Sequence, residues 1–312
     1  MPDARRVLTE GESAALHGAE RMSAYRSAFP EAREAEVSRT GFGLEAAAQR
    51  FGRPLLSLSV FLYLGIVLLA PLGALLSELW EIGVQPMVHA LLAPAALSAL
   101  WMTLLLTLIS VAVNAVVGTL GGIALVRHRF IGRSVINALA DLPLAISPVM
   151  IGLAFVLLVG RGGWLSGPLE ALDIKVLFAF PGLVIASLFV TLPFTIREVA
   201  YVLEELGTNE EEAAVTLGAS PLQTFWRVTL PNVRLGLGYG LLMTAARSLG
   251  EFGALLVLGG SISQQTQTAT TFIHDALEER DPAGAYGMAL VLAVLSIGLW
   301  YALERFKAAR KS

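Results

Sequence analysis

Cysteine is absent from this 312-residue chain. That excludes disulfides, thiolate metal sites and thiol nucleophiles. Lysine is nearly absent: only Lys175, Lys307 and Lys311 occur, and none follows a glycine-rich run. A nucleotide-binding phosphate loop needs Gly-Lys-Ser/Thr, and Gly-Lys never occurs. Any ATP-driven step therefore needs another subunit, and no enzyme activity or cofactor is expected of this one. The histidines, His17, His89, His128 and His274, all fall outside the long apolar runs, which excludes an intramembrane relay built on histidine. Charge is scarce as well, at 15% of residues, against about 25% in a soluble domain.

What fills the space is apolar: 55% of residues are hydrophobic and the mean hydropathy is +0.68. A membrane span needs about 20 mostly apolar residues. Six segments qualify: 55–77, a stretch entering near Leu97 after Pro94 and ending by Val126, 134–160, 176–196, 235–258 and 283–303. The expected fold is an all-α integral membrane protein with six transmembrane helices and both termini on one side. The first 54 residues balance eight arginines against eight acidic residues and lack the apolar core of a secretory signal. They read as a polar, partly helical tail, so insertion is expected to begin at the first span.

Arginine and lysine set the orientation. Arg127, Arg129 and Arg133 share one short loop, Arg197, Arg227 and Arg234 flank another, and Arg305, Lys307, Arg310 and Lys311 close the chain. The opposite loops hold only Arg161, Lys175 and Arg280. The positive-inside rule places both termini and the loop between spans four and five in the cytoplasm. The domain plan is a cytoplasmic tail over 1–54, a transmembrane domain over 55–303 with its core at 97–303, and a basic tail over 304–312.

The loop between spans four and five, 205–231, is polar and rich in helix signals. Thr208 and Asn209 are each followed three residues later by glutamate, which predicts a capping box. Gly218 suits the left-handed residue that ends a helix. Ser220, Pro221 and Gln223 predict a second helix start. Two short helices meeting at an angle are expected, closed by Pro231 before span five. Ala213, Ala214 and Ala219 keep the elbow slim, and Glu212 adds a fixed charge. The spacing Glu212-Ala213-Ala214, then Gly218, then Val228-Thr229-Leu230-Pro231 resembles the EAA loop of bacterial ABC importer membrane subunits. By that resemblance Glu212, Ala213, Ala214, Gly218, Leu230 and Pro231 form the coupling surface gripped by an ATPase.

Few charges fall inside the spans. Arg247 and Glu251 lie four residues apart in span five, where each lone charge would cost about 2.5–3.5 kcal/mol. One helix face would carry both and let them neutralise each other. They either lock span five to its neighbours, or Arg247 lends positive potential to an oxyanion pathway while Glu251 holds its geometry. Gly236, Gly240, Gly250 and Gly253 would leave that helix narrow enough for close packing. Asp141 reads as an N-terminal cap of span three, and Pro143 and Pro148 as kinks that suit a gate.

Four further stretches, at 141–164, 173–182, 189–199 and 247–260, resemble the second membrane subunit, CysW-type, of sulfate/thiosulfate importers; the likeness runs over about 95–303. Ser147-Pro148-Val149 and Asp173-Ile174-Lys175 favour this subunit over its usual partner. Residues 261–281 depart from the family by lacking its Leu-Pro after the threonine. The resemblance implies a type I ABC importer permease fold in a bacterial inner membrane, with a coupling helix between spans four and five. It implies two copies of an ABC ATPase, a second homologous permease subunit (a homodimer being the alternative), a periplasmic or lipid-anchored sulfate-binding protein, membrane lipid, and no nucleic acid. A molybdate or tungstate permease is the nearest alternative. A secondary transporter would need ion-coupling carboxylates near broken helices, for which Glu251 is the lone candidate.

Overall fold

The computed structural model describes residues 32–311, with side chains from 57 to 305. The expected tail over 1–54 lies outside the described residues as far as residue 31, as do its side chains throughout and those of the basic tail beyond Arg305. The chain divides into two units, residues 1–74 and 75–312. Among the described residues every regular element is helical.

The elements are α1 (Ala32–Ile82), α2 (Val84–Leu91), α3 (Pro94–Arg127), α4 (Arg133–Ala145), α5 (Pro148–Val159), α6 (Ser166–Ala171) and α7 (Phe180–Leu206). There follow α8 (Asn209–Thr216), α9 (Pro221–Thr224), a wider π-type turn (Phe225–Thr229), α10 (Leu230–Leu249), α11 (Gly253–Gly259), α12 (Ala269–Glu278) and α13 (Pro282–Lys311). Among the described residues four helices are apolar and long enough to cross a bilayer: Ser57–Ile82 within α1, α3, α7, and Pro282–Arg305 within α13. The first is rich in Leu along its length, with Val and Phe among its other apolar residues.

Spans three and five are not straight helices. The axes of α4 and α5 differ by 117°, and those of the Pro221–Leu249 segment and α11 by 57°. There are six spans only if each bent pair counts as one. At the first break Pro148 disfavours helical geometry in the preceding residue. Ser147 is accordingly extended, at φ −59° and ψ 137°, and Pro148 restarts the helix as its first residue. At the second, Gly250 to Phe252 leave the helical path between α10 and α11. The other boundaries shift modestly: span two begins at Pro94 rather than Leu97, and span four runs over 180–206 rather than 176–196.

The core of the second unit is built from α3, α7 and α10, with the half-helices α5 and α11 added. Leu106, Ile151, Leu183, Val190, Leu255 and Leu258 pack into one cluster. Val199, Leu203 and Val233 form another. In lipid there is no hydrophobic drive between helices, so close packing of small residues and interhelical hydrogen bonds hold them together. Both are present. Ser110 and Ser187 hydroxyls are 2.7 Å apart, Ser187 and Ser248 3.1 Å, and Thr195 and Thr244 3.0 Å. Asn114 donates to Thr191 Oγ1 at 2.9 Å. Each such bond contributes about 0.6 kcal/mol in lipid. A Cβ at Gly236 would collide with Val202, and one at Gly240 would lie 3.1 Å from Thr195 Cα. Gly253 likewise sits against Val149, whereas Gly250 makes no close approach and serves the break instead.

Candidate functional site

The elbow between α7 and α10 is built from two well-terminated helices. α8 ends in a Schellman motif: Ala219 N donates to Ala214 O at 3.0 Å and Gly218 N to Val215 O at 2.9 Å. Gly218 has φ +87°, the left-handed geometry that glycine adopts freely. Ser220 and Gln223 then form the reciprocal capping box, Ser220 N to Gln223 Oε1 at 2.9 Å and Gln223 N to Ser220 Oγ at 3.3 Å.

The first capping box does not form. Thr208 has near-helical geometry and makes no cap bond; its hydroxyl donates to Glu212 Oε1 at 2.6 Å. Glu211 is drawn away to Arg127 and Thr229, and Glu212 is engaged by the Thr208 hydroxyl, so neither is free to reach back.

Pro231 does not close the elbow either. It lacks an N–H, and its ring crowds the carbonyl four residues back. The chain answers by widening: Leu230 N donates to Phe225 O, five residues back. The π-type turn lets α9 run through into α10, so the second arm of the elbow is the start of span five itself.

The elbow is anchored at its base and apolar at its tip. Arg127 Nε, at the end of α3, pairs with Glu211 Oε2 at 2.8 Å, both side chains being mostly buried. Arg127 Nη2 also donates to Gly207 O at 2.5 Å. Thr229 Oγ1 donates to Glu211 Oε1 at 2.8 Å, and Asn232 Nδ2 to Glu210 Oε2. At the tip Val215, Leu217, Leu222 and Trp226 face outward, Leu217 88% exposed and Trp226 60%. Of the residues expected there, Glu212 and Ala213 are exposed, Ala214 and Leu230 half-buried. Arg127→Met is expected to leave Gly207 O and Glu211 short of a partner, at a cost of about 1–3 kcal/mol. A lower melting temperature in detergent checks this, and Arg127→Lys should recover part of it.

The second assembly joins the two breaks. Asp141 is no helix cap: it lies inside α4 and pairs with Arg197 Nε of α7 at 2.6 Å. Arg197 also donates to Asn137 Oδ1 at 2.8 Å and Asn137 O at 2.9 Å. The bent third span is thus clamped to α7 by one guanidinium. Pro148 is near the other break, since a Cβ on Gly253 would lie 3.1 Å from Val149 N and 3.5 Å from Pro148 Cβ. Arg247 Nη2 meets Glu251 Oε2 at 2.7 Å, although Glu251 stands beyond the end of α10 rather than on one helix face with Arg247. Glu251 Oε1 accepts from Ala254 N at 3.0 Å, in the first turn of α11. Each charge sits at the helix end of favourable polarity, Arg247 at a C-terminus and Glu251 at an N-terminus. Glu251 is fully buried while Arg247 is 30% exposed.

Two cavities flank these elements. One of about 440 Å³ is apolar and lies among Leu142, Ile146, Met150, Phe155 and Phe189. The other, about 370 Å³, is lined by Arg133, Ser134, Asn137, Arg197 and Glu204. In the sequence Arg127 and Arg197 mark topology alone. Their partners lie 84 and 56 residues distant, and nothing local signals the pairing.

Residues 115–307 match the family described as binding-protein-dependent transport system inner membrane component. The chain is 46% identical over 243 residues to the sulfate transport system permease protein CysW of Synechocystis sp., covering 78% of this chain and 88% of that one. It is 38% identical over 231 residues to CysW of Escherichia coli K12, covering 74% and 79%. A crystal structure of a bacterial alginate ABC transporter, in complex with an alginate pentasaccharide-bound periplasmic protein, contains a chain of the same fold. The TM-score is 0.70 at 17% identity, covering 81% of this chain and 93% of that one.

Proposed function

The chain belongs to the family of binding-protein-dependent transport system inner membrane components, and from that premise we propose that it is a membrane subunit of an ATP-driven sulfate/thiosulfate importer. The observation that carries the proposal is the elbow: an anchored base, two capped helices, an exposed apolar tip and an unbroken path into span five. Such a part transmits force. An ATPase that grips Leu217, Leu222 and Trp226 would move α9 and α10 as one lever, and Arg127 would carry the same displacement to α3. The Glu212-to-Pro231 segment is the coupling surface in this reading. The assembly comprises this chain, a second homologous permease, two ATPase copies and an external sulfate-binding protein.

The substrate rests on the likeness to the sulfate permeases. Arg247, partly open and held by a buried carboxylate, supplies positive potential to the pathway, and Asp141 and Pro148 shape the bent third span beside it. Uptake of radiolabelled sulfate by cells lacking the chain should be absent and should return with it. Excess thiosulfate should compete and molybdate should not. Restoration of molybdate uptake by the chain, with sulfate uptake still absent, would reassign the substrate to the alternative oxyanion.

The arginine and lysine distribution supports a cytoplasmic position for both termini and the elbow. With no native cysteine, single introduced thiols report topology without background. Cysteine in place of Gln85 or Gln265, both exposed, should react with an impermeant maleimide in intact cells. Cysteine in place of Phe130 or Val215 should react only after the membrane is opened.

A further inference from the structure

The segment after the second break carries a cluster that transport does not use. α12 presents His274, Asp275 and Glu278, with one donor atom from each within 4.8 Å of the others. His274 Nδ1 stands 3.5 Å from Asp275 Oδ1, and Nε2 stands 3.6 Å from Glu278 Oε1. Both gaps exceed a hydrogen bond. Nδ1 is buried without a partner, so the carboxylates surround the imidazole without satisfying it. The ring is held in place by Phe252, whose centroid is 5.3 Å away.

Asp275 is oriented from behind. Its Oδ2 accepts from Ser261 Oγ and from Gln267 Nε2, the latter at 2.6 Å, which leaves Oδ1 turned toward the histidine. Outer-shell bonds of this kind fix carboxylate ligands around a metal. Gln267 is only 6% exposed, and its Oε1 is buried with no partner. A buried, unpaired amide oxygen is costly unless something else fills the space it faces.

We propose that His274, Asp275 and Glu278 form a site for a divalent first-row metal ion such as Zn²⁺. One imidazole and two carboxylates are a donor set suited to such ions. Asp275 is set by Ser261 and Gln267, while Glu278, 71% exposed, swings in to close the site. It is separate from the elbow. Ala269 N, at the start of α12, donates to Thr103 Oγ1 at 2.7 Å, and Arg127 lies 24 residues farther along α3, about 36 Å at 1.5 Å per residue. Thr270 Oγ1 donates to Glu251 O at 2.7 Å, so an ion here would brace the segment 260–278 against the break in span five.

The test uses the full chain in detergent, purified without a histidine tag. Titration calorimetry with Zn²⁺, and Co²⁺ absorption as a spectroscopic readout, should give one site per chain with micromolar affinity. Glu278→Gln and Asp275→Asn should each weaken binding about tenfold or more, His274→Ala should abolish it, and Gln267→Ala should weaken it about tenfold through Asp275. Because Glu278 is exposed, its variant tests the site without endangering the fold. Binding weaker than millimolar, or binding unchanged by Glu278→Gln and His274→Ala, would overturn the proposal.

Discussion

Replacing Arg247 and Glu251 together by glutamine is expected to leave an assembled protein that transports about ten- to a hundredfold more slowly, the rate equivalent of losing one charge-assisted contact. The two single changes should behave differently from the pair. Arg247→Gln strands a carboxylate that is fully buried, and breaking such a pair costs about 3–5 kcal/mol, so low yield and a low melting temperature are expected. Glu251→Gln keeps an oxygen to accept from Ala254 N and leaves Arg247 partly solvated, so it should fold well. Arg247→Lys retains positive charge without the planar fork and should keep partial transport. The double variant separates stability from conduction because neither charge is left alone. Normal transport by an assembled double variant would assign the pair to packing only.

Gly218→Val is expected to uncouple ATP hydrolysis from uptake while the chain still inserts. A Cβ at Gly218 meets nothing within 4 Å, so the penalty lies wholly in its φ of +87°. A non-glycine residue held there costs about 1–3 kcal/mol, more for a β-branched one. The Schellman motif would relax, and the angle between α8 and α9 with it. The spans, which do not depend on this residue, would be untouched. Uptake should fall in the order Asn, Ala, Val, since asparagine tolerates left-handed geometry best. Wild-type uptake together with wild-type recovery of the ATPase on the Gly218→Val chain would remove the elbow from the coupling path.

Local chemistry made much of the elbow readable. Gly218 and the Ser220–Gln223 box each depend on residues within four positions, and both form as the missing Cβ of one and the side chains of the other dictate. Apolar runs likewise located the spans. Pro148 marks a kink in the sequence but not its 117° bend, whereas the break at Gly250 to Phe252 is not legible, because length alone cannot distinguish one straight helix from two bent ones. Asp141 differs from its expected place as a cap because its partner, Arg197, is remote in sequence and leaves no local sign. Thr208 lost its cap because Glu211 found Arg127 and Thr229. Pro231 suggests a stop in the sequence, but a π-type turn absorbs a proline where the helix has reason to continue. The hydroxyl seam linking Ser110, Ser187 and Ser248 could have been suspected from the small polar residues within the spans, though their pairing needed the packed helices.

Crosslinking at the elbow tests the central claim most directly. A single cysteine in place of Val215, exposed on α8, would be joined by a short bifunctional reagent to whatever seats there in membranes containing the complete importer. The account predicts one dominant adduct between this chain and the ATPase subunit, formed from the cytoplasmic side and diminished when Gly218 is replaced by valine. An intact complex giving no ATPase adduct at 215, with that cysteine instead labelled from outside the cell, would contradict both the coupling role and the topology.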